Sequence, residues 1–125
     1  GIAYHQLDNY NKSKEYFDQS TSLRESIKDF NGMANNYIGY SDLFAKTGKL
    51  NKAETNLNKA LSIAGEHNLK LQKREAYKGL SELYKIRGNY KTANSYLEDY
   101  ILVKDSILKV NLKFILFQIY LNQSF

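Results

Sequence analysis

The sequence predicts an all-α chain in which antiparallel helix pairs stack into a solenoid, and three observations carry that prediction. The first is a self-repeat: Asp8-Asn9-Tyr10-Asn11-Lys12-Ser13, Gly48-Lys49-Leu50-Asn51-Lys52-Ala53 and Gly88-Asn89-Tyr90-Lys91-Thr92-Ala93 follow one pattern, with starts at 8, 48 and 88. A fixed period of this size marks a repeat architecture. The second is spacing, since each copy places a small residue four before a large apolar one (Ser13 and Phe17, Ala53 and Leu57, Ala93 and Leu97). That spacing puts both on one helical face. The third is composition: proline is absent, and Lys, Leu, Glu, Ala and Gln fill the segments between glycines, which favours helix.

In chain order, residues 1–7 read as the end of a helix. Asn9 or Asn11 caps the next, which runs to about Lys28 with Tyr10, Phe17 and Leu23 on its buried side. Asp29-Phe30-Asn31-Gly32 carries turn chemistry. A helix from Met33 to Lys46 follows and ends at Thr47-Gly48, where glycine supplies a left-handed residue. Asn51 to Ala64 is the next helix, broken by Gly65-Glu66-His67-Asn68. Leu69 to Ile86 and Tyr90 to Leu108 complete the pairs, separated at Gly88. After Lys113 there is no charge, and Phe114–Leu121 is apolar almost all round. Such a helix must be covered by something. Three uses stay open for it: a cap over the last repeat, a contact with a second copy through Phe114, Phe117 and Leu121, or the start of a membrane helix. The run itself is far short of the roughly 20 residues that span a bilayer. The chain is expected to form one domain, with a partial repeat at 1–28, repeats at 29–68 and 69–108, and a capping or interface helix at 109–125.

The first helix of each pair supplies a family resemblance. Tyr37-x-x-Tyr40-Ser41-x-x-Phe44 with Ala53-x-x-x-Leu57 and Ala60, then Tyr77-x-x-Leu80-Ser81-x-x-Tyr84 with Ala93-x-x-x-Leu97, follow W-x-x-L-G-x-x-Y and A-x-x-x-F. Gly1-x-x-Tyr4, Ser13-x-x-x-Phe17 and Ser20 are the rear of another copy. Over residues 1–108 the chain resembles the tetratricopeptide-repeat proteins. The resemblance implies a right-handed superhelix of helix pairs and a ligand, usually a peptide, held in the concave groove of the first helices. The period of 40 exceeds that family's usual 34, and such long repeats are similar to those of bacterial regulators, including peptide-sensing receptors and segments that precede histidine kinases. Tyr100–Ile107 resembles the closing turn of the last repeat in the latter group, although Tyr100 stands where the earlier copies have Ser20 and Ala60.

The resemblance makes the groove candidates His5 and Gln6 in the partial pair, Asn35, Ile38, Asp42 and Lys46 in the next, and Lys78, Glu82, Lys85 and Ile86 in the last. Chaperone-tail binding is disfavoured, because Ile38 and Asp42 occupy sites where the family's carboxylate clamp needs Lys and Asn. No catalytic constellation is legible: His5 and His67 stand apart, the glycines form no phosphate loop, and no serine has a positioned histidine. The expectation is therefore a non-catalytic chain without cofactor or metal that binds a protein or peptide. Net charge is +5. Acids interrupt the basic residues, so Lys70, Lys73, Arg74 and Lys78 read as a solvated face before a nucleic-acid stripe. Without cysteine or a legible leader peptide, a cytoplasmic and a periplasmic setting both stay open.

Overall fold

The computed structural model describes residues 4–124, with side chains from 7 to 123, and the described chain is five helices joined by tight turns. These are α1 (Tyr4–Ser26), α2 (Phe30–Lys46), α3 (Leu50–Glu66), α4 (Lys70–Ile86) and α5 (Tyr90–Ser124). All four turns close in the same way. Lys28, Gly48, Asn68 and Gly88 take left-handed φ of 57°, 77°, 54° and 78°. The amide of the next residue then donates to the carbonyl five back: Asp29 to Arg24 and Lys49 to Phe44 at 2.8 Å, Leu69 to Ala64 and Asn89 to Tyr84 at 2.9 Å. This motif satisfies carbonyls that a helix end leaves bare. Asparagine visits the left-handed region with modest strain, whereas lysine does not. The Lys28 turn has extra support: Arg24 Nη1 lies 2.5 Å from Asp29 Oδ2, and Asp29 Oδ1 accepts the Gly32 amide at 2.9 Å as an N-cap. The Gly32 amide, and after it Arg24, hold the Asp29 carboxyl below its ordinary range.

Helix α2 packs on α3 and α4 on α5, the two pairs join through α3–α4 and α2–α4, and α1 packs on α2. Close approach is made by small side chains: Ala34, Ala60, Ala64, Ala76 and Ala93 are fully buried. Two glycines act likewise. A Cβ on Gly39 would sit 2.6 Å from the Phe17 ring, and one on Gly79 would sit 2.8 Å from Leu57. Tyr40, Phe44, Ala53 and Leu83 form one core cluster, and Leu80 is fully buried as well. Buried polar groups are bonded across helices: Asn36 Nδ2 donates to Ser20 and Thr21 of α1 at 3.1 and 3.2 Å, and Ser81 Oγ donates to the Ala93 carbonyl at 2.9 Å. The architecture is the all-α solenoid of helix pairs that the repeat pattern predicts.

Three expectations are corrected. No turn separates residues 4–7 from the next helix; α1 runs through from Tyr4, and Asp8, which occupies the place of Gly48 and Gly88, pairs with Lys12 one turn on at 3.1 Å. Leu23 is 62% exposed, since α1 packs only on α2 and that face has no neighbour among the described residues. The third concerns 109–125: no turn precedes it, α5 is one helix of 35 residues, and its distal part does not fold back as a cap. Among the described residues α5 packs against α4 alone, and Phe114 and Phe117 remain 62% and 56% exposed. The reason is local. Residue 108 stands where Lys28 and Asn68 turn the chain, and a branched Leu108 resists the left-handed conformation. Tyr100 therefore meets no terminal helix; it is half-buried, with the Lys104 ammonium 5.9 Å from its ring centre.

Candidate functional site

A concavity of about 470 Å³ lies between α2 and α4. Its construction follows from the repeat. Helices α2 and α4 are the first helices of successive pairs and lie side by side, with α3 behind them. Ala53 and Leu57 of α3 form the floor together with Ala45 and Leu83. Gly39 and Gly79 deepen it, because neither puts a side chain between the helix and the residue behind it. The walls are polar: Asn35 and Asp42 come from α2, Glu75, Lys78 and Glu82 from α4, and Ile38 and Ile86 bracket them.

Of the groove candidates, the structure brings Asn35, Ile38, Asp42, Lys78, Glu82 and Ile86 to this one cavity. Lys46 does not line it, and its ammonium lies 2.9 Å from Asp42 one turn away. Lys85 is exposed and also outside the lining. His5 and Gln6 fall in α1, with side chains outside the described residues. Sequence reasoning did not place Gly39, Gly79, Ala45 or Leu83 here. A signal was available for the glycines, which recur forty residues apart, in phase with the repeat.

The charges at the groove are of two kinds. Asp42 and Glu75 are engaged, Glu75 by Arg74 at 3.1 Å, and Asn35 accepts from Gln72 at 3.4 Å. Lys78 and Glu82 form no ion pair among the described residues, although both are exposed and four residues apart. The groups whose pKa is shifted on α1, α2 and α4 are structural. The Tyr40 hydroxyl donates to Asp18, which lowers that carboxyl, while burial pushes the Tyr40 phenol up. Tyr84 donates to Glu54, and that bond raises the Tyr84 phenol. Glu54 also meets Arg87 at 3.2 Å, so both bonds tie neighbouring helices together. His67 stacks on Phe30 at 3.7 Å between ring centres, a contact between turns. Among the described residues no acid or histidine cluster could hold a metal ion, and no helix is long and apolar enough to cross a membrane.

A family model described as tetratricopeptide repeat matches residues 1–66 of the 125. Comparison with curated proteins and with solved structures found no match. The matched span carries α1, α2 and α3, and the pair α4–α5 repeats its turn geometry and its glycine contact. This chain belongs to the tetratricopeptide-repeat family, a generally non-catalytic fold whose repeats mediate protein–protein interaction.

Proposed function

We propose that the chain is the recognition module of a larger bacterial sensor or regulatory protein, and that it binds a segment of a protein partner in the groove between α2 and α4. The observation that carries this reading is the groove's make-up: an apolar floor beneath walls that hold a cation and an acid, Lys78 and Glu82, neither of which forms an ion pair among the described residues. A peptide with one apolar side chain flanked by charges fits such a surface, since the floor offers burial and the walls fix register. The bacterial setting rests on the length of the repeats. A nucleic acid is the poorer ligand, because Arg74 is engaged by Glu75, and Lys70 donates to Ser106 at 2.8 Å.

The test is selection of binders from a random dodecapeptide display library on the whole chain. Glu82→Lys and Ile86→Asp alter exposed side chains and are expected to weaken the selected peptides at least tenfold, about 1.4 kcal/mol. Lys85→Glu, outside the groove, should leave affinity unchanged. Peptides that bind both groove variants as tightly as the parent chain would place recognition elsewhere.

A further inference from the structure

The distal half of α5 continues a packing seam that the first half already uses. Tyr96, Tyr100, Val103 and Ile107 follow one another at steps of four, three and four, and all are half-buried. They face α4: Tyr96 lies 6.3 Å from the Tyr77 ring and 5.7 Å from the Tyr84 ring, and Val103 shares a cleft with Leu69 and Lys73. Helix α4 runs antiparallel to α5 and leaves the seam where Lys70 reaches Ser106. The same three-and-four spacing then goes on with no second helix packed on it among the described residues, as Val110, Phe114, Phe117 and the half-buried Leu121. Val110 is 55% exposed there, and the two phenylalanines are similarly bare. Apolar residues at alternating three and four spacing on a helix form a seam for a second helix.

The geometry points to a second copy of this chain as the occupant, paired antiparallel through α5 so that each copy's distal helix takes up the track that α4 leaves. Three features select this arrangement. The seam is continuous with one that already accepts an antiparallel helix, so the partner needs no new packing geometry. A register that sets Phe114 against Phe117 also sets Val110 against Leu121 in both halves, as two-fold symmetry demands. It brings Ile107, beside the point where α4 leaves the seam, level with residue 124 of the other copy, so over the described residues the partner helix does not collide with α4. A parallel pair in register would press two α4 helices into the same space. The polar positions agree: Asn111 and Gln118, which flank the seam, are neighbours across it, and Lys109 lies well off it. Leu112 and Ile119 lie on the far side of the helix from this seam.

The chain has no cysteine, which makes crosslinking a clean test. Val110→Cys and Leu121→Cys chains, mixed and oxidised mildly, should yield a disulfide between unlike variants. Val110→Cys alone should not crosslink, because its two copies lie roughly 16 Å apart along the helix at 1.5 Å per residue. Light scattering of the parent chain should give twice the chain mass. Phe117→Asp should reduce this to one copy, and Ile119→Asp should leave two. The proposal is overturned by a monomer at every concentration, by like-with-like crosslinking of Val110→Cys, or by equal loss in the Ile119→Asp variant. Flotation of the monomeric chain with phosphatidylcholine–phosphatidylglycerol vesicles would also overturn it, assigning the apolar surface to lipid.

Discussion

Helices α3 and α5 are the second helices of successive pairs, begin alike and end differently. Each starts one residue after a polar N-cap, buries an alanine four positions into the pattern (Ala53, Ala93) and sets a leucine four later (Leu57, Leu97). Helix α3 stops at Glu66 and turns at Asn68; α5 passes the equivalent position, Leu108, and continues to Ser124. The two leave different surfaces. Where the chain turns, the following helix covers the preceding pair and a groove forms between first helices. Where it does not, an apolar helix stands exposed beyond α4 among the described residues. One residue's tolerance of positive φ therefore separates a repeat that completes the fold from a segment that extends beyond it.

The largest effect that can break this comparison lies in the core. Leu80 is fully buried, and Leu80→Ala is expected to cost about 2–5 kcal/mol in urea denaturation. Ile115 lies 51% exposed on the extension, and Ile115→Ala should change stability by no more than about 0.5 kcal/mol. Comparable losses would mean that the extension is part of the folded core of a single chain.

A middle-sized effect sharpens the comparison within the repeats. Gly79 lies against Leu57, which is 3% exposed and has no room to withdraw. Gly79→Val should cost about 1–3 kcal/mol by overpacking. Gly65 meets nothing within 4 Å, and Gly65→Ala should stabilise α3 by roughly 0.5–1 kcal/mol. If both changes prove neutral, glycine at 39 and 79 is not a close-packing requirement, and its recurrence at the repeat period has another cause.

How much of this was legible before the structure can be argued from the same positions. The helix pairs and the Gly48 and Gly88 turns follow from periodicity, because glycine and small-large spacing announce themselves; the groove candidates come from the family resemblance, and six of them line one cavity. The turn at Lys28 is less visible, since lysine is no turn signal and its support is the local Arg24–Asp29 pair that flanks it. The break expected before Asn9 failed because Asp8 can remain helical where a glycine would end the helix. The run from Tyr90 to Ser124 was readable in principle. Setting 28, 68 and 108 in one column shows a leucine in the place of a turn, but an apolar tail invites the assumption that it folds back. Helix face also suggests Lys46 and Lys85, yet neither lines the cavity, and Lys46 pairs with Asp42.

The smallest effect bears most directly on the comparison. Leu108→Gly costs α5 about 1 kcal/mol of helix propensity and removes the side chain that opposes a left-handed residue. No further change is needed to make a turn, because Lys49 and Leu69 begin their helices without a side-chain cap. Once the turn is allowed, folding back can bury Phe114 and Phe117, and burying such a side chain is worth about 1.5–3 kcal/mol. The variant should therefore close a further helix–helix contact where the parent chain extends. Spin labels on cysteines introduced at Lys73 and Gln118, in chains diluted with unlabelled copies, read the outcome. The parent chain should give a separation of roughly 20–25 Å, from 1.5 Å per residue along the helix, and Leu108→Gly a population near the 8–10 Å of packed helices. An unchanged separation would mean that the surface of the last pair, and not the residue at 108, keeps α5 straight.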